Sequence, residues 1–591
     1  MNKIIFILGF LLVSAFSLKS QTIDTTELNP KLEDYLESGE AMLEDDELKF
    51  LQNNPIKILT AGKDDLLKLP FIGLGLAEKI LSAVKNGDIK DRRDLKAIIG
   101  DKYIYQSISP LITFKAEKNL SITVTSALSS EMQNRRGYDS VFEGSKIKSL
   151  SRLSLASLPY NLTASLLVEK DPGEVKLSDH YSGYLKYESR KFKIILGDYR
   201  VSMSEGLTFG NYPFFFDRDN LTGLSGSARS GIRSYSGSGE SNYLRGLCAE
   251  YDIKPLRISA FYSNQSIDAT VNPDGFVTSR YDEGLHRYAT EIKKKDALKE
   301  DVFGGSISYF AGLHYLSLNI YSAEYDKTFL GSGYYGPRGK SFSALGIGYS
   351  FSSELLNLSA ELTKSKNVFA GLINLEIPIT EAHQLFLGAR NFPYDFVNPF
   401  SLNKGSMAQN EFSFYSGIKL DLSQNLELKS FVEIFKKPYR IYYNPFPSKG
   451  LSGTVKLDME INKDFSASAR YRIKSGDEYI TAENIPGGGS KIISEKVKNE
   501  YRLEMLYSVV QNLSFRTRLE GSFLEYKSDK TTESGFMVYH DVLWQTTGNL
   551  FLNCRFSLFN TNSYETAIYQ YERDITGSFG SNALYDKGFR F

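Results

Sequence analysis

From about residue 119 to the end of the chain, apolar and polar side chains alternate with a period of two. The clearest run spans residues 455–474 and contains one short turn at Lys463-Asp464. Its apolar members are Val455, Leu457, Met459, Ile461, Phe465, Ala467, Ala469, Tyr471 and Ile473. Residues 503–520 repeat the same pattern. A period of two indicates β-strands with one apolar face and one polar face.

The length of these strands indicates which kind of β-sheet they form. Runs of about 10 to 12 residues joined by tight turns are what a bilayer-spanning antiparallel sheet requires. Lipid cannot satisfy an open sheet edge, so the sheet must close. The sequence therefore predicts a mainly β chain whose residues 116–591 form a large transmembrane antiparallel β-barrel of about 20–24 strands, with an even total.

Short connections alternate with long polar ones. The short ones are 462–464 and 510–512, and the long ones are 265–301, 325–341, 392–410, 437–449 and 475–498. Short turns normally face the periplasm and long loops the exterior. The last residues, 584–591, resemble the beginning of a strand more than its end. A truncated reading frame or a missing final hairpin is therefore one expectation.

The chain begins like an exported protein. Residues 1–20 combine a short positive start, an apolar run and small residues, which predicts a secretory signal peptide. No later run of about 18 apolar residues occurs, so no transmembrane helix is expected. Residues 21–53 form a strongly acidic stretch that we interpret as a helical leader. The whole chain has 70 basic and 70 acidic residues, so no global charge favours nucleic acid.

Residues 54–115 have a helical period instead. Apolar residues at i, i+4 and i+8 surround a Pro/Gly turn, and a second such unit follows, which predicts a small all-α tandem helix-hairpin-helix domain. Its candidate contact hairpin for DNA or a partner comprises Pro70, Phe71, Ile72, Gly73, Gly75 and Lys79. Phe71 stands where a phosphate-binding turn would need glycine. We therefore favour a packing role for the domain over duplex binding, with both kept open.

Two sets of residues resemble one protein family. In the helical part they are 54–56, 69–71, 94–95 and 109–112. In the barrel part they are Leu196-Gly197-Asp198-Tyr199, Glu205-Gly206-Leu207, Gly231-Ile232-Arg233, Ser238-Gly239-Glu240 and Leu244-Arg245-Gly246. Together they resemble a Bacteroidetes-type family of outer-membrane proteins with a periplasmic helix-hairpin-helix domain. Ser204 and Glu205 replace the family's usual Gly and Gln. The helical domain alone resembles competence DNA receptors, which implies DNA uptake.

The most unusual part of the barrel half is residues 201–240. It is rich in Gly and Ser and lacks strand alternation. Two interpretations are open, a long external loop or an in-folded constriction loop that sets what passes. The candidate lumen or constriction residues are Glu205, Asp217, Asp219, Arg229, Arg233, Glu240 and Arg245.

No motif predicts chemistry. Gly331–Gly336 fits a dinucleotide-binding string but opens no helix. The five histidines are scattered, and the two cysteines, Cys248 and Cys554, lack metal-type spacing. We expect the chain to bind no cofactor and no metal, and we do not expect it to be an enzyme. The expected partners are outer-membrane lipid and a periplasmic protein, with DNA less favoured and no small-molecule substrate indicated. Three functions remain open: a channel or transport component, a DNA-uptake component, and a non-conducting structural or assembly factor.

Overall fold

The computed structural model describes most of the chain after residue 50. The described residues are 51, 55–66, 69–72, 74–100, 102–114, 120–130, 136–157, 159–189, 191–210, 218–219, 221, 231–331, 334–353, 355–380, 383–401, 408–441, 444–462, 464–481, 491–510, 512–528, 530–545, 551–572 and 580–591. The expected signal peptide and nearly all of the acidic leader lie outside them.

Among the described residues, 22 consecutive strands form the barrel wall, and three short strands in its connections, Gly231–Ser234, Ala269–Val271 and Val277–Arg280, also pair within the same sheet. The wall strands are β1 Leu120–Ser130, β2 Ile147–Ser157, β3 Leu162–Lys170, β4 His180–Glu188, β5 Phe192–Ser202, β6 Leu244–Ile253, β7 Leu256–Ile267, β8 Leu298–Ala311, β9 His314–Leu330, β10 Arg338–Ser352, β11 Asn357–Ser365, β12 Val368–Pro378, β13 His383–Phe392, β14 Glu411–Ser423, β15 Leu426–Lys437, β16 Ser448–Glu460, β17 Phe465–Thr481, β18 Lys491–Val510, β19 Leu513–Tyr526, β20 Thr532–Gln545, β21 Phe551–Thr561 and β22 Lys587–Arg590.

The sheet closes on itself. Each wall strand lies beside the next one in the sequence, and β22 lies between β21 and β1. The pairing of β21 with β22 is antiparallel, with Leu558 opposite Phe589. The predicted fold class, a mainly β chain with a large antiparallel β-barrel, is confirmed.

The two faces of the wall have opposite chemistry. Side chains such as Ile122, Leu128 and Phe303 point outward and are exposed by 62%, 67% and 61%. Inward-facing Arg516 and Arg518 are fully buried. An apolar exterior around a polar interior is the arrangement of a transmembrane β-barrel of the outer-membrane type. None of the described helices is long and apolar enough to cross a membrane.

The connections differ at the two ends of the barrel. Those that follow even-numbered strands are short, as at 254–255 and 312–313, and those that follow odd-numbered strands include 203–243 and 268–297. We call these the short-turn end and the long-loop end. Two predicted loops, 325–341 and 475–498, are shorter than expected. Strands β9 and β10 continue their pairing into the first, and β17 and β18 into the second. In both places the strands stay hydrogen-bonded beyond the residues whose hydrophobic alternation predicted them.

A helical domain, residues 55–114, precedes the barrel. Its helices are α1 Lys63–Leu66, α2 Leu74–Asn86, α3 Arg92–Ile99 and α4 Lys102–Ile108, followed by the 3-10 turn Ser109–Leu111. The Asp91 side chain caps α3 by accepting hydrogen bonds from the backbone N–H groups of Arg93 and Asp94, and the Asp94 side chain caps Asp91 in return. Parallel pairing of Ile56–Lys57 with Ile112–Thr113 joins the two ends of the domain.

Candidate functional site

The described residues 203–210, 218, 219 and 221, which we call the lumen segment, lie against the inner wall. Ser204 begins this contact. Its hydroxyl shares a hydrogen bond of 2.6 Å with the Ser317 hydroxyl and accepts one of 2.8 Å from Asn319 Nδ2. Ser317 and Asn319 are inward-facing residues of β9, and both are buried. The segment therefore lies inside the barrel at this point.

The next contact is a buried carboxylate. Glu361 on β11 accepts hydrogen bonds from the backbone N–H of Leu207 at 3.0 Å and of Thr208 at 2.7 Å. The Thr208 hydroxyl donates to the same carboxylate. On the other side, Asn398 Nδ2 donates to the carbonyl oxygens of Leu207 and Thr208. The backbone of the segment is thus held from two directions, which satisfies groups that burial would otherwise leave unpaired.

Glycines on the inner wall make room for the segment. A Cβ on Gly348 would lie 1.9 Å from Ser204 Oγ, and one on Gly346 would lie 1.8 Å from Thr208 Oγ1. On β14, a Cβ on Gly417 would lie 2.6 Å from a methyl group of Leu221. A missing side chain at these positions allows the close approach of a second backbone.

The far end of the lumen segment is held by ion pairs. Arg470 Nη1 donates to Asp219 Oδ2 at 3.1 Å, and the guanidinium of Arg472 donates to both carboxylate oxygens. Thr454 Oγ1 adds a hydrogen bond of 2.9 Å to Oδ1. Next to it, Arg218 pairs with Glu433 on β15 at 3.2 Å. Charge-assisted, two-pronged contacts of this kind are stronger than neutral hydrogen bonds.

The predicted lumen residues divide into several groups. Glu205 accepts a hydrogen bond of 3.1 Å from Asn374 Nδ2 on β12, so it lies in the lumen together with Asp219. Arg233 is buried in the short strand Gly231–Ser234, where it lies opposite Arg200 of β5. Asp217 and Arg229 lie outside the described residues.

The structure corrects the predicted lumen position of Arg245. This residue lies opposite Asp198 in the pairing of β5 with β6, two residues from the pair formed by Leu196 and Leu247. Leu196 is 57% exposed and Leu247 is 46% exposed, so this face of the wall points outward. Because side chains two apart on a strand share a face, Arg245 lies on the outer surface rather than in the lumen. There its Nε donates to Asp198 Oδ1 at 2.7 Å.

Glu240 lies instead at the long-loop end, in a cluster with Glu174, Asp179 and His286. Their ligand atoms lie within 4.8 Å of one another, which is the spacing of a metal site, but both ring nitrogens of His286 are already hydrogen-bonded. Sequence reasoning missed this cluster because its residues come from three separate connections. His286 Nδ1 lies 2.6 Å from Asp179 Oδ2, and its Nε2 lies 2.7 Å from Asp268 Oδ2. Burial lowers the pKa of His286, but these two hydrogen bonds outweigh it and raise the pKa to about 10. An imidazolium therefore supplies positive charge to the cluster.

A second element occupies the lumen near β20 and β21. We call the antiparallel pair Ile568–Glu572 and Gly580–Leu584 the lumen hairpin. The inward-facing Ser557 donates to Gln570 Oε1 at 2.8 Å, and Arg555 Nη1 donates to the Tyr571 carbonyl oxygen at 2.6 Å. The Tyr571 side chain packs within the buried core of the helical domain. The helical domain therefore touches an element that is itself bound to the inner wall.

The predicted contact hairpin of the helical domain is largely buried. Pro70, Phe71 and Ile72 face the core of the domain rather than a partner, and Lys79 is exposed on α2. Phe71 has a φ of 62°, the left-handed conformation that glycine adopts easily. Its side chain is nevertheless 5% exposed, because the turn directs it into the apolar core. Gly75 lies in the first turn of α2, and Gly73 lies outside the described residues.

Comparison with solved structures finds other β-barrels. The siderophore receptor PirA from Pseudomonas aeruginosa has 10% identity and a TM-score of 0.37, with 76% of this chain and 73% of that chain covered. OccAB3 from Acinetobacter baumannii has 13% identity and a TM-score of 0.28, covering 75% and 93%. An anion-selective porin from Comamonas acidovorans has 12% identity and a TM-score of 0.25, covering 63% and 93%. At such TM-scores these likenesses assign neither substrate nor activity.

No protein-family model matches the chain, and no curated protein does. The resemblance to helix-hairpin-helix outer-membrane proteins therefore stays a prediction.

Proposed function

We propose that this chain is a gated transport component of the bacterial outer membrane, in which the lumen segment closes the barrel. The observation that carries the proposal is the binding of the segment to the inner wall by Glu361 at one end and by Arg470 and Arg472 at the other. An external loop has no need of inward-facing wall residues that hydrogen-bond its backbone. A segment that must close a lumen and then leave it does need them.

The helical domain is, in this proposal, a periplasmic docking and lid element. Two features support that role. The Gly62 backbone lies beside Glu188 at the short-turn end of β4, and Tyr571 joins the domain to the lumen hairpin. Short turns face the periplasm in barrels of this type, so the domain lies on that side. The two helix pairs, α1–α2 and α3–α4, fit the tandem helix-hairpin-helix arrangement of the family that the sequence resembles.

Conductance in planar lipid bilayers tests the proposal. One variant replaces residues 203–230 by a short Gly/Ser linker, and the matched control replaces residues 482–490 between β17 and β18 by the same linker. We expect the first variant to conduct severalfold more than the unchanged protein, because it removes the lumen segment. The control should not differ from the unchanged protein. Equal conductance of all three proteins would refute a closing role and favour a structural or assembly factor.

The DNA-uptake alternative has its own test. The exposed Lys79 on α2 is a described residue of the predicted contact hairpin that suits a phosphate contact. If the domain receives DNA, Lys79→Ala in the full chain should weaken duplex binding and reduce its salt dependence. No binding by the unchanged protein at about 50 mM salt would rule this alternative out. The burial of Phe71 and Ile72 favours the docking role instead.

A further inference from the structure

The inner wall on β17, β18, β19 and β21 carries six arginines that share four carboxylates. In the first chain of contacts, Arg472 and Arg470 bind Asp219, and Arg470 and Arg502 bind Glu520. In the second, Arg518 and Arg516 contact Glu504, and Arg516 and Arg555 contact Asp541. Each chain of contacts, taken by itself, holds three positive and two negative groups.

One of these four carboxylates differs from the others. Glu520, Glu504 and Asp541 belong to the wall, whereas Asp219 belongs to the lumen segment. If the segment leaves, the first chain keeps three arginines and only one of its carboxylates, Glu520. Arg470 and Arg472 then lose the carboxylate that both of them bind. An excess of buried guanidinium charge is unfavourable unless another anion replaces that carboxylate.

The groups around Asp219 have the geometry of an anion site. Two guanidinium groups and the Thr454 hydroxyl converge on one carboxylate that is 4% exposed. The Arg470 Nε is also buried, and no acceptor in the described part of the chain reaches it. A second oxygen-bearing group of the ligand could take this hydrogen bond. Guanidinium forks match the paired oxygens of carboxylate and phosphate groups.

We propose that Arg470, Arg472 and Thr454 form an anion-binding site for the carboxylate or phosphate group of a transported solute, and that Asp219 occupies this site while the lumen is closed. The inference rests on the proposed function, since it makes the lumen segment a built-in competitor of the solute. It names the class of solute, one with an accessible carboxylate or phosphate group. It also explains why the closing segment carries a buried acidic residue, Asp219, at this contact.

Equilibrium dialysis of the purified full chain with inorganic phosphate, and separately with acetate, tests the site. Asp219→Ala vacates the site, so we expect one bound anion per chain with an affinity about 10-fold or more above that of the unchanged protein. Tighter binding of phosphate would assign the solute a phosphate group, and tighter binding of acetate a carboxylate. The proposal would be overturned if the Asp219→Ala variant bound neither anion more tightly than the unchanged protein.

A matched set of variants separates the site from general lumen charge. In the Asp219→Ala background, the pair Arg470→Lys and Arg472→Lys keeps the charge but removes the guanidinium forks, and should weaken binding about 10-fold or more. Arg518→Lys alters an inward arginine whose hydrogen bond goes to Glu504 of the wall, and should leave binding unchanged. Equal binding by the lysine pair and by Asp219→Ala would overturn the site. Dialysis does not require conduction, so a failure of the linker variant to conduct would count against gating alone.

Discussion

Glu361→Gln gives the sharpest test of how the lumen segment is held. The carboxylate accepts from two backbone N–H groups, of Leu207 and Thr208, and from the Thr208 hydroxyl. Glutamine keeps one acceptor oxygen and turns an NH₂ group toward the remaining N–H donor. A buried donor left without its acceptor costs about 1–3 kcal/mol. Losing one acceptor and turning an NH₂ group toward an N–H should therefore cost about 3 kcal/mol, which is roughly a 100-fold shift toward the open state.

Single-channel recording measures this shift as open probability, and a disulfide reverses it. Ser204→Cys with Ser317→Cys replaces two hydroxyl oxygens 2.6 Å apart and ties the segment to β9. In the Glu361→Gln background we expect oxidation to close the channel and dithiothreitol to reopen it. Ser126→Cys with Ser151→Cys, whose oxygens lie 3.0 Å apart on two wall strands, is the matched disulfide control. The exposed native Cys554 is replaced by serine throughout.

Two outcomes would refute the reasoning. One is an open probability for Glu361→Gln equal to that of the unchanged protein. The other is an equal effect of Glu504→Gln, which removes a carboxylate bound by Arg516 and Arg518 of the wall. That variant should lower the stability of the barrel without opening it, because its contacts do not hold the segment.

Further variants test other parts of the structure. Gly348→Val places a side chain where Ser204 lies and should raise leak conductance, whereas the outward-facing Ile347→Val should not. Tyr571→Ala removes a buried ring from the core of the helical domain, so a loss of about 3–5 kcal/mol should make that domain more sensitive to protease in the full chain. The pKa of His286 is raised above its ordinary value of 6.5 to about 10. Its stabilisation of the cluster with Glu174, Asp179 and Glu240 is therefore complete below about pH 6.5 and is lost as the pH rises through about 10. The protection of backbone amides in 268–297 against hydrogen exchange, relative to the intrinsic rate at each pH, should fall over that range, and His286→Ala should remove this fall.

The sequence predicted the wall of the barrel well because strand alternation is a local signal. In β16 and β17, the polarity of each residue indicates which face it lies on, because successive side chains point alternately to lipid and to the lumen. The i, i+4, i+8 spacing of Leu76, Ile80 and Val84 predicted α2 for the same reason, and all three pack in the core of the domain. The error at Arg245 has a local cause as well. Arg245 is a predicted lumen residue, but its spacing from the exposed Leu247 places it outside.

The contents of the lumen could not be predicted, because they depend on contacts between residues far apart in the chain. Glu361 binds residues about 150 positions away, and Arg470 binds Asp219 at a separation of 251. In the sequence, each of these residues is one polar position among many on an inward face. The sequence by itself determined a closed barrel with a helical domain before it, because periodicity decides which side of an element is apolar. Only the tertiary structure decided what fills that barrel, because the choice between an external loop and an in-folded segment depends on which wall side chains its backbone meets.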